Sequence, residues 1–329
     1  MNPLPSPPAT MVARTPADLV AVVPTVLGFH PQDSVVLLTF GPAGRPFHAR
    51  VDLPLVSSEQ AQVADLLARA ARTNGVGQAA VLLYSDDAGA ADAQADVLVD
   101  RLLEHDVEVI AVLRVDDDHW HQVPDEGTPG TSYDLEAHRF TAQSVFEGRV
   151  VHRDRAELED TLVGTDEEDA VEVALAATRH ADVMLALGRQ GLDTETSWLR
   201  WRVRAALADP VAVDARDAGR LLVLASVVPT RDVAWAEITR AEARSHADLW
   251  RGLVRRAPRD LVPGAASLLA FAAWQAGDGA LAWCALDRAL GVDPDYSMAH
   301  GLAQLLTAAV PPDTWVAPDG AASPPLGRD

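Results

Sequence analysis

Residues 268–306 read LLAFAAWQAGDGALAWCALDRALGVDPDYSMAHGLAQLL, and their spacing decides how the second half of the chain folds. Leu269, Ala270, Ala282, Leu286 and Ala289 recur at helical intervals on either side of Gly277, and Pro294 follows. Ala270, Ala282 and Ala289 are small enough for two antiparallel helices to approach closely. Gly277 lets the chain turn between them, and Pro294 stops the second helix.

Working outward, Glu167–Leu187, Trp198–Leu207, Asp214–Val227, Asp232–Arg244 and Asp248–Arg256 also carry helical patterns, with no convincing strand among them. Residues 164–310 therefore read as an all-α C-terminal domain whose last hairpin is tetratricopeptide-like. The tail over 311–329, rich in Pro and Gly, reads as disordered, with Trp315 expected to dock.

The first half changes period. A proline-rich tail over 1–14 leads to Thr15-Pro16-Ala17-Asp18, a capping box that starts a helix through Leu19, Val22, Val23, Val26 and Leu27. Pro24 is expected to kink that helix and Gly28 to end it. Ser34–Phe40 reads as a strand, Gly41–Arg45 as a turn and Pro46–Leu53 as the antiparallel partner. Helix Ser58–Arg72, strand Ala79–Tyr84, helix Ala91–Glu104 and strand Val107–Val115 follow. This alternation predicts an α/β N-terminal domain over 15–163, with a mostly parallel sheet and an initial antiparallel hairpin. Residues 116–133 read as a long loop or an irregular strand pair, before helical patterns at Leu135–Phe146 and Arg155–Leu162.

The formal charge of -21 opposes a nucleic-acid backbone or an anionic membrane as the main partner. There is no lysine, so all 27 basic residues are arginine. That excludes a Walker-type phosphate lysine, a Schiff-base lysine and a kinase strand lysine. Cys284 is the single cysteine and sits on an apolar helix face, so no intrachain disulfide can form. The opening residues lack a signal-peptide pattern and no apolar stretch is long enough to span a bilayer, so a cytoplasmic location is expected.

In a parallel α/β sheet, ligands gather at the carboxyl ends of the strands. Here those ends carry Asp52, then Asp86 and Asp87, then Asp116, Asp117 and Asp118. Asp52, Asp86 and Asp116 would suit Mg²⁺ or Mn²⁺ and a water attacking a phosphate ester. Aspartates after strands equally serve as turn formers and helix caps. Arg50 shares a strand face with Asp52 at period two, as an anion-binding pair or a salt bridge.

His30, Asp33 and Ser34, in the loop entering the first strand, are further ligand-binding candidates. With no Gly-x-Ser-x-Gly elbow they do not read as a hydrolase triad. His119 and His121 flank Trp120 and would face one way on a strand, where Asp117 could complete a zinc site. Asp134 and His138 have intrahelical spacing. Arg200, Arg202 and Arg204 beside Trp198 and Trp201, and Arg251, Arg255 and Arg256 beside Trp250, either clamp an anionic ligand or pair with acids around a tryptophan core.

Leu27-Gly28-Phe29-His30-Pro31-Gln32-Asp33-Ser34-Val35-Val36, followed by Arg50-Val51-Asp52-Leu53-Pro54, resembles the opening of an actinobacterial family called domain of unknown function 4192. Ala272-Ala273-Trp274-Gln275-Ala276-Gly277-Asp278-Gly279-Ala280-Leu281-Ala282 and Asp293-Pro294-Asp295-Tyr296-Ser297-Met298-Ala299 resemble its closing motif. The resemblance implies no activity. It does imply cysteines after the third long strand in many members, a segment where this chain has none.

The leading expectation is a non-catalytic, cytoplasmic binding or scaffold protein without a cofactor, whose helical domain meets a protein or peptide. A divalent-metal phosphoester hydrolase using the acidic rim, and a small-molecule sensor with an interdomain pocket, are the alternatives.

Overall fold

The computed structural model describes residues 11–40, 47–124, 129–208 and 213–315. The turn expected at 41–45, and the expected tails beyond residues 11 and 315, lie outside the described residues. The chain divides into two units between Arg155 and Ala156, against an expected division after 163.

In the first unit, α1 (Pro16–Leu27) opens on the capping box, with Thr15 Oγ1 accepting the Asp18 amide and the Asp18 carboxylate accepting the Thr15 amide. The helix runs uninterrupted through Pro24 and ends at Gly28, which takes the left-handed φ of 78°. Then come β1 (Ser34–Phe40), β2 (His48–Asp52), α2 (Ser57–Thr73), β3 (Gln78–Tyr84), α3 (Ala88–Glu104), β4 (Glu108–Val115), β5 (His119–Gln122), β6 (Thr131–Ser132) and α4 (Arg139–Phe146).

The strands form one mixed sheet in the order β2-β1-β3-β4-β5-β6. Among the described strands, β3 and β4 make the one parallel pair, because β1 runs antiparallel to both β2 and β3, and β5 to β4. This corrects the expectation of a mostly parallel sheet. The crossover through α2 keeps β2 and β3 co-directional, but β1, buried along nearly its whole length, is inserted between them. The carboxyl ends of β2, β3 and β4 consequently still share one edge: Ser34 is in register with both Asp52 and Tyr84, and Tyr84 with Val115. A core on one face joins Val35, Leu37, Val81 and Leu83 of the strands to Leu67 of α2 and Leu98 of α3.

The described residues within 116–133 form the β5 side of the β4–β5 hairpin and the short β6. The His138 ring accepts the Phe140 amide and caps α4, so that helix starts later than the pattern suggested. Asp134 and His138 are therefore not an intrahelical pair: Asp134 accepts the Ala137 amide, while His138 Nε2 lies 3.2 Å from Asp18 Oδ1.

The second unit has no strand among its described residues. It comprises α5 (Arg155–Asp160), α6 (Glu167–Leu187), α7 (Leu192–Ala208), α8 (Ala215–Ser226), α9 (Val228–Ala236), α10 (Ala243–Arg256), α11 (Val262–Ala276), α12 (Gly279–Leu290) and α13 (Ser297–Thr307). Helices α11 and α12 are the hairpin read from the sequence. Gly277 turns between them at φ 82°, and Asp278 caps α12 by accepting the Leu281 amide. Ala270, Ala282 and Ala289 are fully buried in their packing. Every residue from Val262 to Gln275 is buried, with α8, α9, α10, α12 and α13 all packed on α11. A repeat helix lining an open solenoid groove keeps one face in water, whereas α11 is the central rod of a bundle. Trp315 docks against Trp235 and Phe271.

Candidate functional site

Two polar clusters occupy the shared edge of the sheet. The first grows from period two on β2, which puts Arg50 and Asp52 on one face, and from register, which brings Ser34 opposite Asp52. Arg50 Nη1 lies 2.6 Å from Asp52 Oδ1, and its Nε donates to Ser34 Oγ at 2.8 Å. The Ser34 hydroxyl donates in turn to the Gln32 carbonyl, which also receives Arg50 Nη2 at 3.4 Å. Asp33 holds a left-handed φ of 42° and accepts the Leu53 amide at 2.8 Å, stitching the loop to the end of β2. Burial pushes the Arg50 guanidinium down and Asp52 opposes it, while the charge of Arg155 acts in the same sense as burial.

His30 is held apart from this group. Its amide donates to the His152 carbonyl at 3.1 Å, and burial lowers its imidazole below the usual range. Of the five candidates, Arg50, Asp52, Ser34 and Asp33 thus assemble around one loop. Ser34 is fully buried and committed to Arg50 and Gln32, an arrangement that ties a loop down and does not expose a nucleophile.

The second cluster lies on the β4–β5 turn. Asp116 Oδ2 faces Arg114 Nη1 at 3.2 Å and His121 Nε2 at 3.0 Å, and its Oδ1 accepts the His119 amide at 2.9 Å. Burial raises the Asp116 carboxyl, but the His119 amide, His121 and Arg114 outweigh it and hold the group below the usual carboxylate range. Arg114 also donates to the Ser85 carbonyl at 3.3 Å, linking the ends of β3 and β4. Tyr133 donates its hydroxyl to the Asp116 carbonyl at 2.8 Å. Burial, with the charges of Asp116, Asp117 and Asp118, pushes that phenol up to about 12. Gly130 is required here, since a methyl group on it would sit 2.5 Å from His121 Cε1.

Asp52, Asp86 and Asp116 do not form a ligand group among the described residues. β2 and β4 are three strand spacings apart, about 14 Å, and the Asp52 and Asp86 side chains are exposed on separate strand ends. The trio close enough to share a cation is instead Asp116, Asp118 and His119. Its atoms are already engaged: Asp118 Oδ1 lies 2.7 Å from His119 Nδ1, and both Asp116 oxygens have partners. A cation would have to compete with the Arg114 guanidinium, so the donor set fits an ion-paired turn better than a hard-metal site. His119 and His121 do alternate around Trp120 on β5, but the acid that meets His121 is Asp116, where Asp117 was expected.

Beside β2, Asp52, Leu53, Pro54, Leu55, Val56 and Val63 line an open depression of about 630 Å³. In the helical unit, the arginine clusters pair with acids. Arg200 and Arg204 both reach Glu237, Arg202 meets Asp217, and Arg256 clasps Asp169 through two hydrogen bonds. Arg220 chelates the buried Glu195 and stacks 3.7 Å over Trp198.

Arg114, Ser85, Tyr133 and Gly130 are the participants that sequence reasoning missed. Arg114 had a signal: a charge inside the apolar strand EVIAVLRV, two residues before Asp116.

The family model described as Domain of unknown function (DUF4192) matches residues 16–313. No curated protein and no solved structure matches the chain. No helix among the described residues is long and apolar enough to cross a membrane.

Proposed function

The chain belongs to the DUF4192 family, and from that premise we propose that it is a non-catalytic binding or scaffold protein of the cytoplasm, whose helical unit presents a surface to a protein or peptide partner. The observation carrying this reading is the outer face of α6. Val171, Leu175 and Leu185 fall within one stripe of the helix and are 59%, 52% and 82% exposed, opposite the buried Val173 and Ala177. Val171 and Leu175, one turn apart, leave apolar surface in water, and Leu185 lies on the same side beyond the exposed Thr178 and Asp182, a mixed face that suits a protein partner.

The polar clusters on the sheet edge support the non-catalytic half of the reading, because their groups are spent on one another. The charge of -21 supports keeping nucleic acid off the partner list.

The test compares the unaltered chain with a Leu175→Glu, Leu185→Glu double variant as baits in lysate of the native cell, quantified by mass spectrometry. Partners recovered by the first and lost by the second are expected; identical recoveries would remove the reading. A melting temperature raised by Mg²⁺ or Mn²⁺, and no longer raised in Asp116→Asn, would replace it with a metal-dependent one.

A further inference from the structure

β2 is an edge strand: β1 lies on one flank and, among the described residues, no strand lies on the other. Register fixes which of its backbone groups are free. Leu53 sends its amide to the Asp33 carbonyl, one step beyond the pairing of Asp52 with Ser34, so Ala49, Val51 and Leu53 turn their backbone groups towards β1 and the loop before it. His48, Arg50 and Asp52 therefore turn theirs outwards. Beside them lies the open depression of about 630 Å³, with the exposed Leu55 and Val56 on its rim.

Sheet edges are ordinarily guarded by a bulge, a proline or a charge reaching across the pairing line. No bulge interrupts the register of β2 on β1, and Pro54 comes only after the strand has ended. Arg50 is drawn back over β1, where Ser34 Oγ accepts its Nε at 2.8 Å and the Gln32 carbonyl its Nη2 at 3.4 Å. Asp52 meets Arg50 through Oδ1, yet its side chain is 82% exposed and has room for a second cation.

We propose that β2 pairs antiparallel with β2 of a second copy of this chain, joining the two sheets edge to edge about a two-fold axis at Val51. Charge and register together select this occupant. The outward groups belong to His48, Arg50 and Asp52, so these residues must face one another across the axis. An axis at Arg50 would oppose two guanidinium groups, and one at Asp52 two carboxylates, and both arrangements repel. An axis at Ala49 would set Arg50 against His48 and leave Asp52 with no strand residue opposite. An axis at Val51 sets Arg50 of each copy opposite Asp52 of the other, twice over, so the strand is complementary to itself. The paired segment is only five residues long, and the dimer is accordingly weak, with a dissociation constant on the order of 10–100 µM. This edge belongs to the first unit and is independent of the α6 face, so failure of either reading leaves the other standing.

The test is analytical ultracentrifugation of the full chain from about 10 to about 500 µM, in about 0.15 M salt to screen the repulsion between two chains of charge -21. The mass should rise with concentration from 35.0 kDa towards twice that value. Arg50→Asp and Asp52→Arg should each remain monomeric alone, because each sets like charges opposite one another. Their equimolar mixture should associate again, since a strand with two acids then faces a strand with two arginines. The intrachain pair of Arg50 with Asp52 is lost in both variants and cannot produce a gain on mixing. A monomer at every concentration, a single variant that associates like the unaltered chain, or a mixture no heavier than its components overturns the proposal. Should Arg50→Asp lose its circular-dichroism signal, Val51→Cys replaces the mixing experiment. Its two thiols meet at the axis and should give a disulfide-linked dimer on mild oxidation, with the buried Cys284 taking no part, and absence of that dimer overturns the proposal equally.

Discussion

The Asp18 carboxylate accepts the amides of Arg14 and Thr15 at 2.8 and 3.1 Å, and faces His138 Nε2 and Arg139 Nη2 at 3.2 and 3.0 Å. Burial pushes it up, but the two amides, the Thr15 hydroxyl and Arg139 outweigh burial and bring it from 3.8 to about 2. Its contribution to stability is therefore complete above 3.8 and disappears as pH falls through about 2. His48 is depressed too, from 6.5 to about 4, because burial disfavours its charge; its Nδ1 accepts the Thr39 amide at 3.2 Å, which only the neutral ring can do. That contribution is complete above 6.5 and is lost as pH falls through about 4. Unfolding free energy measured with denaturant should thus decline in two successive windows, with His48 adding about 2–3 kcal/mol to the upper, beside the lowered His30, His180 and His246, and Asp18 about 1–2 kcal/mol to the lower, beside the lowered Asp116, after allowing for solvent screening. Asp18→Asn should shrink the lower window and leave the upper one as it is, Asp116 still contributing below 3.8; an unchanged profile would show that Asp18 has no such role.

Among the elements, α6 and α8 cross closely. A methyl group on Gly219 would lie 2.5 Å from the Ala177 amide nitrogen and 2.8 Å from Ala176 Cβ, so the backbones meet where no side chain fits. Gly219→Ala should therefore cost about 1–3 kcal/mol by forcing the helices apart, outweighing alanine's better helix propensity. A melting temperature at or above that of the unaltered chain would contradict this. The elements themselves were largely legible from the sequence. The capping box at Thr15, the glycine turn at Gly277 and the period of α2 and α3 each announce a local structure through local chemistry. What they could not announce is which strand lies beside which. The alternation of strand and helix specifies that β2, β3 and β4 run the same way, but the seat of β1 between β2 and β3 depends on a doubly buried face that only the folded sheet supplies.

At the scale of the whole molecule, the candidate site was legible wherever partners lie close in sequence and obscure where they meet through pairing. Arg50 and Asp52 follow from period two along one strand, whereas His121 reaches Asp116 only because the β4–β5 hairpin folds back. The acids at the strand ends share an edge as expected, yet strand width keeps Asp52 away from Asp116. In the helical unit, the rod α11 has no wet side from Val262 to Gln275. Its amide hydrogens can trade for deuterium only when the surrounding helices come apart together, whereas those of α6, with one side open to water, are released by smaller fluctuations. Isotope uptake followed by mass spectrometry should accordingly be slowest in peptides from α11, and faster exchange there than in α6 would contradict this. The most hidden helix would then serve as the gauge of when the entire bundle lets go.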